Sequence, residues 1–447
     1  MSLAPQFGDM AVIESINQVP IPYEPARGTA LSADWAATGA LAELLKGIGG
    51  CSPYLNDVLR QEQAWICEAV HADAPLEGIL PSDLGADPGQ ILRQSKRRMA
   101  GFLAMVELSG AYPLSRTTQA LTDFADAAVQ AAFTSALAPY QASGKLPEDT
   151  GLFVVAMGKM GAGELNYSSD IDLIVMFDDR KMDHLEASHL RQILVRATRT
   201  ATKLLNDVTQ HGYVFRTDLR LRPDPSVTPI CVSMSSALEY YESLGRTWER
   251  AAFIKARICS GDQEAGAAFL EQMVPFVWRR HLDFAAIEEA HALRLKIRTK
   301  TGARGQITVP GHDGKLGRGG IREIEFFTQT RQLISGGRDP GLRSSQTLAA
   351  LDQLVAKEWV TSAINNQLQL SYTVLRHTEH AIQMIRDAQT QSVPQSEEGL
   401  ARVAGLCGQT SEAFLNDISA HLNAVHSITE TFFAPTQRTV PEVALEG

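Results

Sequence analysis

The chain has 447 residues, 41 basic and 51 acidic, with a formal net charge of −10. That acidic balance argues against a protein that coats nucleic acid through a basic field, and no run reaches the roughly 18 apolar residues of a membrane span. Hydrophobic residues make up 44 % and charged residues 21 %, which suffices for buried cores and excludes disorder as the dominant state. At about 150 residues per domain, two to four domains are expected. The five cysteines (Cys51, Cys67, Cys231, Cys259, Cys407) are scattered, with no CxxC or Cys/His cluster. Neither a zinc site nor a disulfide framework is therefore expected. The start, MSLAPQFGDMAVIES, lacks a charged region followed by an apolar stretch, so the expected compartment is the reducing cytoplasm.

Residues 1–30 carry four prolines and little periodicity, which predicts a loosely ordered start. From Ser32 to about Gly110 the apolar spacing is helical, in TGALAELLKGI (38–48) and QILRQSKRRMAGFLAMVEL (90–108); TTQALTDFADAAVQAAFTSAL (117–137) is a further Ala-rich amphipathic helix. The period then changes. LFVVAMG (152–158) and IDLIVMF (171–177) are short apolar runs bounded by turn residues and read as buried strands. A long helix over 185–208 leads to a third predicted strand, YVFRTDLRLRP (213–223), completing a mixed α/β unit. After Pro229 the pattern is helical nearly to the end, interrupted by the loop 301–320 with its seven glycines.

The stretch that carries chemistry is MGKMGAGELNYSSDIDLIVMF (157–177). Asp170 and Asp172 stand two apart at the head of an apolar strand, so period two puts both carboxylates on one face. Like charges this close repel, and a divalent cation such as magnesium, which takes carboxylate and phosphate oxygens, is the commonest reason to pair them. Gly158, Gly161 and Gly163 let backbone amides approach a phosphate, and Glu164–Leu165 is expected to open a helix. On the third strand, alternation places Phe215, Leu219 and Leu221 on one face and Arg216, Asp218, Arg220 and Arg222 on the other. Asp218 can complete a three-carboxylate site, and the arginines can clamp phosphate oxygens. Two metal ions holding the attacking and leaving oxygens would suit transfer at phosphorus.

Other motifs fit poorly. Gly158-Lys159-Met160 lacks the Ser/Thr and earlier Gly of a P-loop, and the glycines run GxxGxG rather than GxGxxG. His377 and His380 have no carboxylate at zincin spacing and read as surface or packing histidines. No GxSxG element or cysteine nucleophile context is present.

A Gly turn, a DxD pair and a third Asp on a following strand resemble the DNA polymerase β-like nucleotidyltransferase superfamily. GKMGAGELNYSSDIDLI, FRTDLRLRP, GRTWERAAFIKAR (245–257) and KLGRGGIREIEF (315–326) together resemble the bifunctional glutamine synthetase adenylyltransferase/adenylyl-removing enzymes, from roughly Arg93 to Glu430. Met160 and Ala162 stand where that family usually has Leu and Gly. With one SDxD motif, the chain resembles one half of that enzyme. GGIREIEF, RDAQTQSVP (386–394) and the long helical stretch before the motif resemble the N-terminal, adenylyl-removing half. The helical region after about Phe276 is similar to a domain shared with uridylyltransferases acting on the PII signal protein.

The resemblance implies an α+β, mostly α chain in three parts. These are an N-terminal helical region over 1–116, a polymerase β-like catalytic core over 117–275 and a helical bundle over 276–447. It implies removal of AMP from a tyrosine of glutamine synthetase by phosphorolysis, with ADP released. Asp170, Asp172 and Asp218 would hold one or two Mg²⁺ ions; Gly158, Gly161 and Ser169 would contact the AMP phosphate; Arg220 and Arg222 would hold the attacking phosphate. Glu249 or Lys255, on a predicted helix around Trp248, is placed near the nucleotide. Lys315 and Arg318 belong to a glycine loop expected to close over the site. The implied partners are adenylylated glutamine synthetase, PII as regulator, inorganic phosphate and ADP, and the second half of the enzyme, with no nucleic acid and no membrane. The alternatives are the ATP-dependent, AMP-attaching half and a non-catalytic module binding PII or glutamine synthetase.

Overall fold

Capping residues and apolar spacing set the helices. The computed structural model describes residues 12–72, 76, 79–81, 84–181, 187–279 and 307–433. The N-terminal region is helical: α1 (Pro25–Asp34), α2 (Gly39–Cys51), α3 (Pro53–Gln61), α4 (Gln63–His71) and α5 (Pro88–Leu108). Proline opens α1, α3 and α5, where its missing N–H leaves nothing unpaired. Ser52 and Asp87 cap α3 and α5 by accepting from the amides of Leu55 and Gln90. The loose start predicted for 1–30 is corrected over the described residues 12–30. Asn17 and Gln18 amides bond to Ser109 O, and Ile21 N bonds to Gly405 O. The prolines keep this segment extended, and its amides find partners at the ends of other helices.

The predicted α/β unit is present. After α6 (Leu114–Ala142) come β1 (Leu152–Ala156), a single turn α7 (Gly158–Gly161), β2 (Asp170–Phe177), α8 (Ala187–Asn206), β3 (Arg216–Asp218), β4 (Cys231–Ser233), α9 (Met234–Ser243), α10 (Thr247–Phe253), β5 (Arg257–Gly261) and α11 (Gln263–Val277). The sheet order is β3-β2-β1-β5, with β4 also paired to β2. β1 runs antiparallel to β2 and β5, while β3 and β4 run parallel to β2 at its two ends. Because β1 and β2 are buried on both faces, they read as continuous apolar runs rather than alternating ones. Val154, Leu173 and Val175 join a core with α6 and α8; Phe153, Val155, Ile174 and Met176 join another with α9 and α11.

Two local expectations fail for stated reasons. No helix starts at Glu164; its carboxylate is buried and accepts from Thr347 N at 2.6 Å, so the segment runs irregularly into β2. The third strand is three residues long, not eleven. Asp218 Oδ1 accepts from Arg220 N at 2.8 Å, which turns the chain. Beyond the turn the alternation is lost: Leu219 packs on the first core and Leu221 on the second.

The remaining described helices are α12 (Ile321–Ser335), α13 (Thr347–Ala356), α14 (Ser362–Met384), α15 (Glu397–Leu406) and α16 (Ser411–Phe433). The first core runs without interruption from Leu31 to Val425, through the N-terminal helices, one sheet face and these five helices. No helix among the described residues is long and apolar enough to cross a membrane.

Candidate functional site

The site is built at the head of β2. Parallel pairing sets Asp170 beside Arg216 and Asp172 beside Asp218, so these four side chains share a face. Further along β2 that face is covered by α9 and α11, but Asp170 and Asp172 lie before the cover begins and are half-buried. One ligand oxygen from each of Asp170, Asp172 and Asp218 lies within 4.8 Å of the others. Crowding shows in their acidities. Burial, then the charges of Asp170 and Asp218, push Asp172 up to about 6. Asp218 is held below its ordinary value by hydrogen bonds from Arg220. Three carboxylates offering hard oxygens, one of them kept proton-prone by its neighbours, fit a divalent cation.

The glycine turn faces this cluster. Gly158 sits at φ +56°, and a Cβ there would come within 2.9 Å of Asp172 Oδ2. Gly161 is required for a different reason: a Cβ there would meet Lys255 O at 1.8 Å, because the turn packs directly on the chain entering β5. Ser169 is half-buried, immediately before Asp170. Two cations attend the carboxylates. Arg220, with a largely exposed side chain, donates from Nε and Nη2 to Asp218 at 2.8 and 2.5 Å. Lys315, in the glycine loop before α12, favours the charged form of Asp172, and its ammonium forms no ion pair among the described residues.

Two family profiles match the chain, one over the N-terminal helices and the α/β unit and one over the helices that follow. The family profile described as glutamate-ammonia ligase adenylyltransferase covers residues 45–272. The chain belongs to this family. A second profile, PII-uridylyltransferase, matches residues 291–433. Relatives carrying the name bifunctional glutamine synthetase adenylyltransferase/adenylyl-removing enzyme occur in several bacteria. One from Bradyrhizobium sp. (strain BTAi1) is 44 % identical over 423 residues, covering 90 % of this chain and 42 % of the relative. One from Xanthobacter autotrophicus is 42 % identical, covering 91 % of this chain and 43 % of the relative. One from Mesorhizobium japonicum is also 42 % identical, covering 92 % and 43 %. The chain thus spans about two fifths of the length of these curated relatives.

Not every candidate of this adenylyltransferase-family chain meets the carboxylates. Arg222 donates to Leu219 O, Pro225 O and Thr228 O and so holds its own loop together, while its charge acts on Asp218. Glu249 is held by its own helix start. It closes a capping box with Arg246 N at the start of α10 and accepts from Tyr240. Lys255 is buried beneath the glycine turn, where its ammonium bonds Glu164, Glu325 and Thr347 at 3.0, 2.8 and 3.2 Å. A buried ammonium needs such partners, and both carboxylates come from segments the sequence places far away. Arg318 reaches His426 of α16 at 2.6 Å. Glu325, bonded to Lys255, also pairs with Arg322.

Several buried pairs in this adenylyltransferase-family chain escape a sequence reading. Lys159, inside the glycine turn, is buried against Glu379 of α14 at 2.8 Å. Burial, helped by Arg376 and Lys315, pushes it down to about 7. His377 and His380 do have a carboxylate: Glu107 of α5 lies 3.0 and 2.9 Å from their Nδ1 atoms. The HTEH spacing signalled a pair on one helix face, but nothing local could name a partner 270 residues away.

Proposed function

We propose that the chain removes AMP from an adenylylated tyrosine of glutamine synthetase by Mg²⁺-dependent phosphorolysis, releasing ADP. The observation that carries this is the carboxylate cluster at the head of β2, set against a positive-φ glycine turn. We propose a polymerase β-like core for this unit and keep the three-part division at 116/117 and 275/276, although both boundaries fall inside helices, α6 and α11. The family resemblance of GGIREIEF and RDAQTQSVP supports the adenylyl-removing half. The PII-uridylyltransferase match over 291–433 supports regulation by PII.

Asp170, Asp172 and Asp218 would hold the cation. When bound, it supplies charge neutralisation at the phosphodiester and at the departing phenolate. Gly158 and Gly161 let the turn lie flat against the AMP phosphate, with Ser169 beside it. Arg220 pivots from Asp218 to orient inorganic phosphate, and Lys315 adds positive charge from the loop side. A phosphate oxygen forms the new bond to phosphorus, the phosphorus–phenol bond breaks, and the tyrosine oxygen takes a proton. A phenol with pKa about 10 leaves without a strong acid, so positioning and electrostatics suffice.

A paired assay tests this. With adenylylated glutamine synthetase, phosphate and Mg²⁺, ADP is expected to appear and to depend on phosphate. AMP incorporation from ATP into the unmodified enzyme would instead assign the AMP-attaching half. PII binding with no turnover in either arm would make the chain a binding module. Asp170→Asn is expected to lower turnover by orders of magnitude with the fold intact; full activity in that variant would overturn the metal-site reading.

A further inference from the structure

The two strands that carry the carboxylates pair over only three residues. A ladder that short does not hold three charged side chains in one triangle by itself. A chain of side-chain hydrogen bonds braces it from behind. Arg216, in register with Asp170, donates from Nη2 to Ser168 Oγ at 3.0 Å and from Nη1 to Tyr213 Oη at 2.5 Å. Tyr213 Oη donates to Asp387 Oδ2 at 2.8 Å. Gln383, on the last turn of α14, accepts from Ser168 N at 2.8 Å. Ser168 precedes Asp170 by two residues and Tyr213 precedes Asp218 by five, so both carboxylate strands are tied, at their starts, to the segment leaving α14.

Asp387 is itself fixed. It sits at φ +48°, outside the ordinary range for a residue with a Cβ. The carbonyls just before it are held by α3: Ser52 Oγ donates to Met384 O at 2.6 Å, and Tyr54 N to Ile385 O at 3.4 Å. Buried Lys96 lies over the Tyr167 and Phe215 rings and contributes positive charge attracted to Asp387. Within this cluster Asp387 Oδ1 and Arg216 Nε are buried with no hydrogen-bond partner among the described residues. Such groups are costly to leave unpaired. A strained acidic residue and an incompletely paired arginine, neither hydrogen-bonded nor ion-paired to the three carboxylates among the described residues, mark a device for orientation.

We propose that Asp387, Tyr213 and Arg216 are positioning residues that set the Asp170–Asp172–Asp218 triangle for its cation. This rests on the metal-site reading above. Through them, the helical region matched by the PII-uridylyltransferase profile fixes the geometry of the carboxylates directly.

The test uses the full chain without substrate and follows Mn²⁺ binding by electron paramagnetic resonance. Wild type is expected to bind, and Asp170→Asn to lose binding. Tyr213→Phe and Asp387→Asn are each expected to weaken Mn²⁺ binding by about tenfold or more, as loss of outer-shell support does. Each variant leaves buried groups unpaired, so its metal-free melting temperature should fall by a few degrees, and binding is compared at a temperature where every variant is folded. The double variant should be little worse than either single one, because both break the same chain. Wild-type Mn²⁺ affinity in Tyr213→Phe, which removes one oxygen and little volume, would overturn the inference and leave the metal site standing. Loss of affinity that only tracks a fall in melting temperature would overturn it as well. No Asp170-dependent binding in wild type would overturn the metal-site reading, and the inference with it.

Discussion

Asp172 Oδ2 fills the space beside Gly158: it lies 2.9 Å from the position a Cβ would occupy there. A side chain at 158 would have to displace the carboxylate rather than a bystander. Gly158→Ala also places Ala at φ +56°, a strain of roughly 1–2 kcal/mol. The expected result is a modest fall in melting temperature and a loss of turnover of about a hundredfold or more, since misplacing a reacting group by about 1 Å costs that much. Steady-state kinetics beside a thermal melt separates the two effects.

Asp172→Asn is expected to stabilise the metal-free protein while abolishing turnover. Burial and two neighbouring carboxylates raise Asp172 from 3.8 to about 6. An acid raised in the folded state destabilises the fold once it ionises, so this contribution grows worse as pH climbs from about 4 to 6. Removing the charge should return about 2 kcal/mol at pH 7. Urea unfolding of wild type and variant in chelator checks the sign; a less stable Asn variant would mean that the repulsion is relieved some other way.

Glu107 gives the opposite pH dependence. Burial favours its neutral form, but His380 and His377 outweigh that and lower it from 4.5 to about 2. That stabilisation draws on histidine charge; on the acid side it is present above pH 4.5 and lost as pH falls toward 2. Between pH 5 and pH 3, Glu107→Gln should lose less stability than wild type, measured as the shift in urea midpoint.

Lys255→Met should cost about 3–5 kcal/mol, because Glu164 and Glu325 would remain buried without their shared cation. Chemical denaturation measures it. Since Glu164 follows the glycine turn, weaker nucleotide binding should accompany the loss. A neutral outcome would mean that the two carboxylates are protonated or hydrated in solution.

What the sequence discloses divides by distance along the chain. Asp170, Asp172, Gly158 and the buried strands were legible because period two, turn glycines and apolar runs are local properties. Asp218 was legible as well, although the strand that bears it stops at once when its own carboxylate captures Arg220 N. Arg222, Glu249 and Lys255 are harder to read, because a charged residue beside a site looks the same whether it holds a loop, caps a helix or meets a ligand. Only the positions of distant carbonyls and carboxylates decide. Lys159–Glu379 and Glu107–His380 join residues 220 and 273 apart, which no local pattern encodes.

Over about two turns, helix α14 makes four contacts with two remote segments, the stretch 159–168 and α5. Arg376 donates to Glu164 O, Glu379 pairs with Lys159, His380 meets Glu107, and Gln383 accepts from Ser168 N. Each residue added to a helix rotates everything beyond it by about 100° and advances it by about 1.5 Å. A single insertion or deletion between Arg376 and Gln383 would therefore swing the contacts on one side of it out of phase with the rest. Point substitutions can be absorbed one contact at a time, but the count of residues cannot drift. Along this stretch the chain is constrained by arithmetic before it is constrained by chemistry.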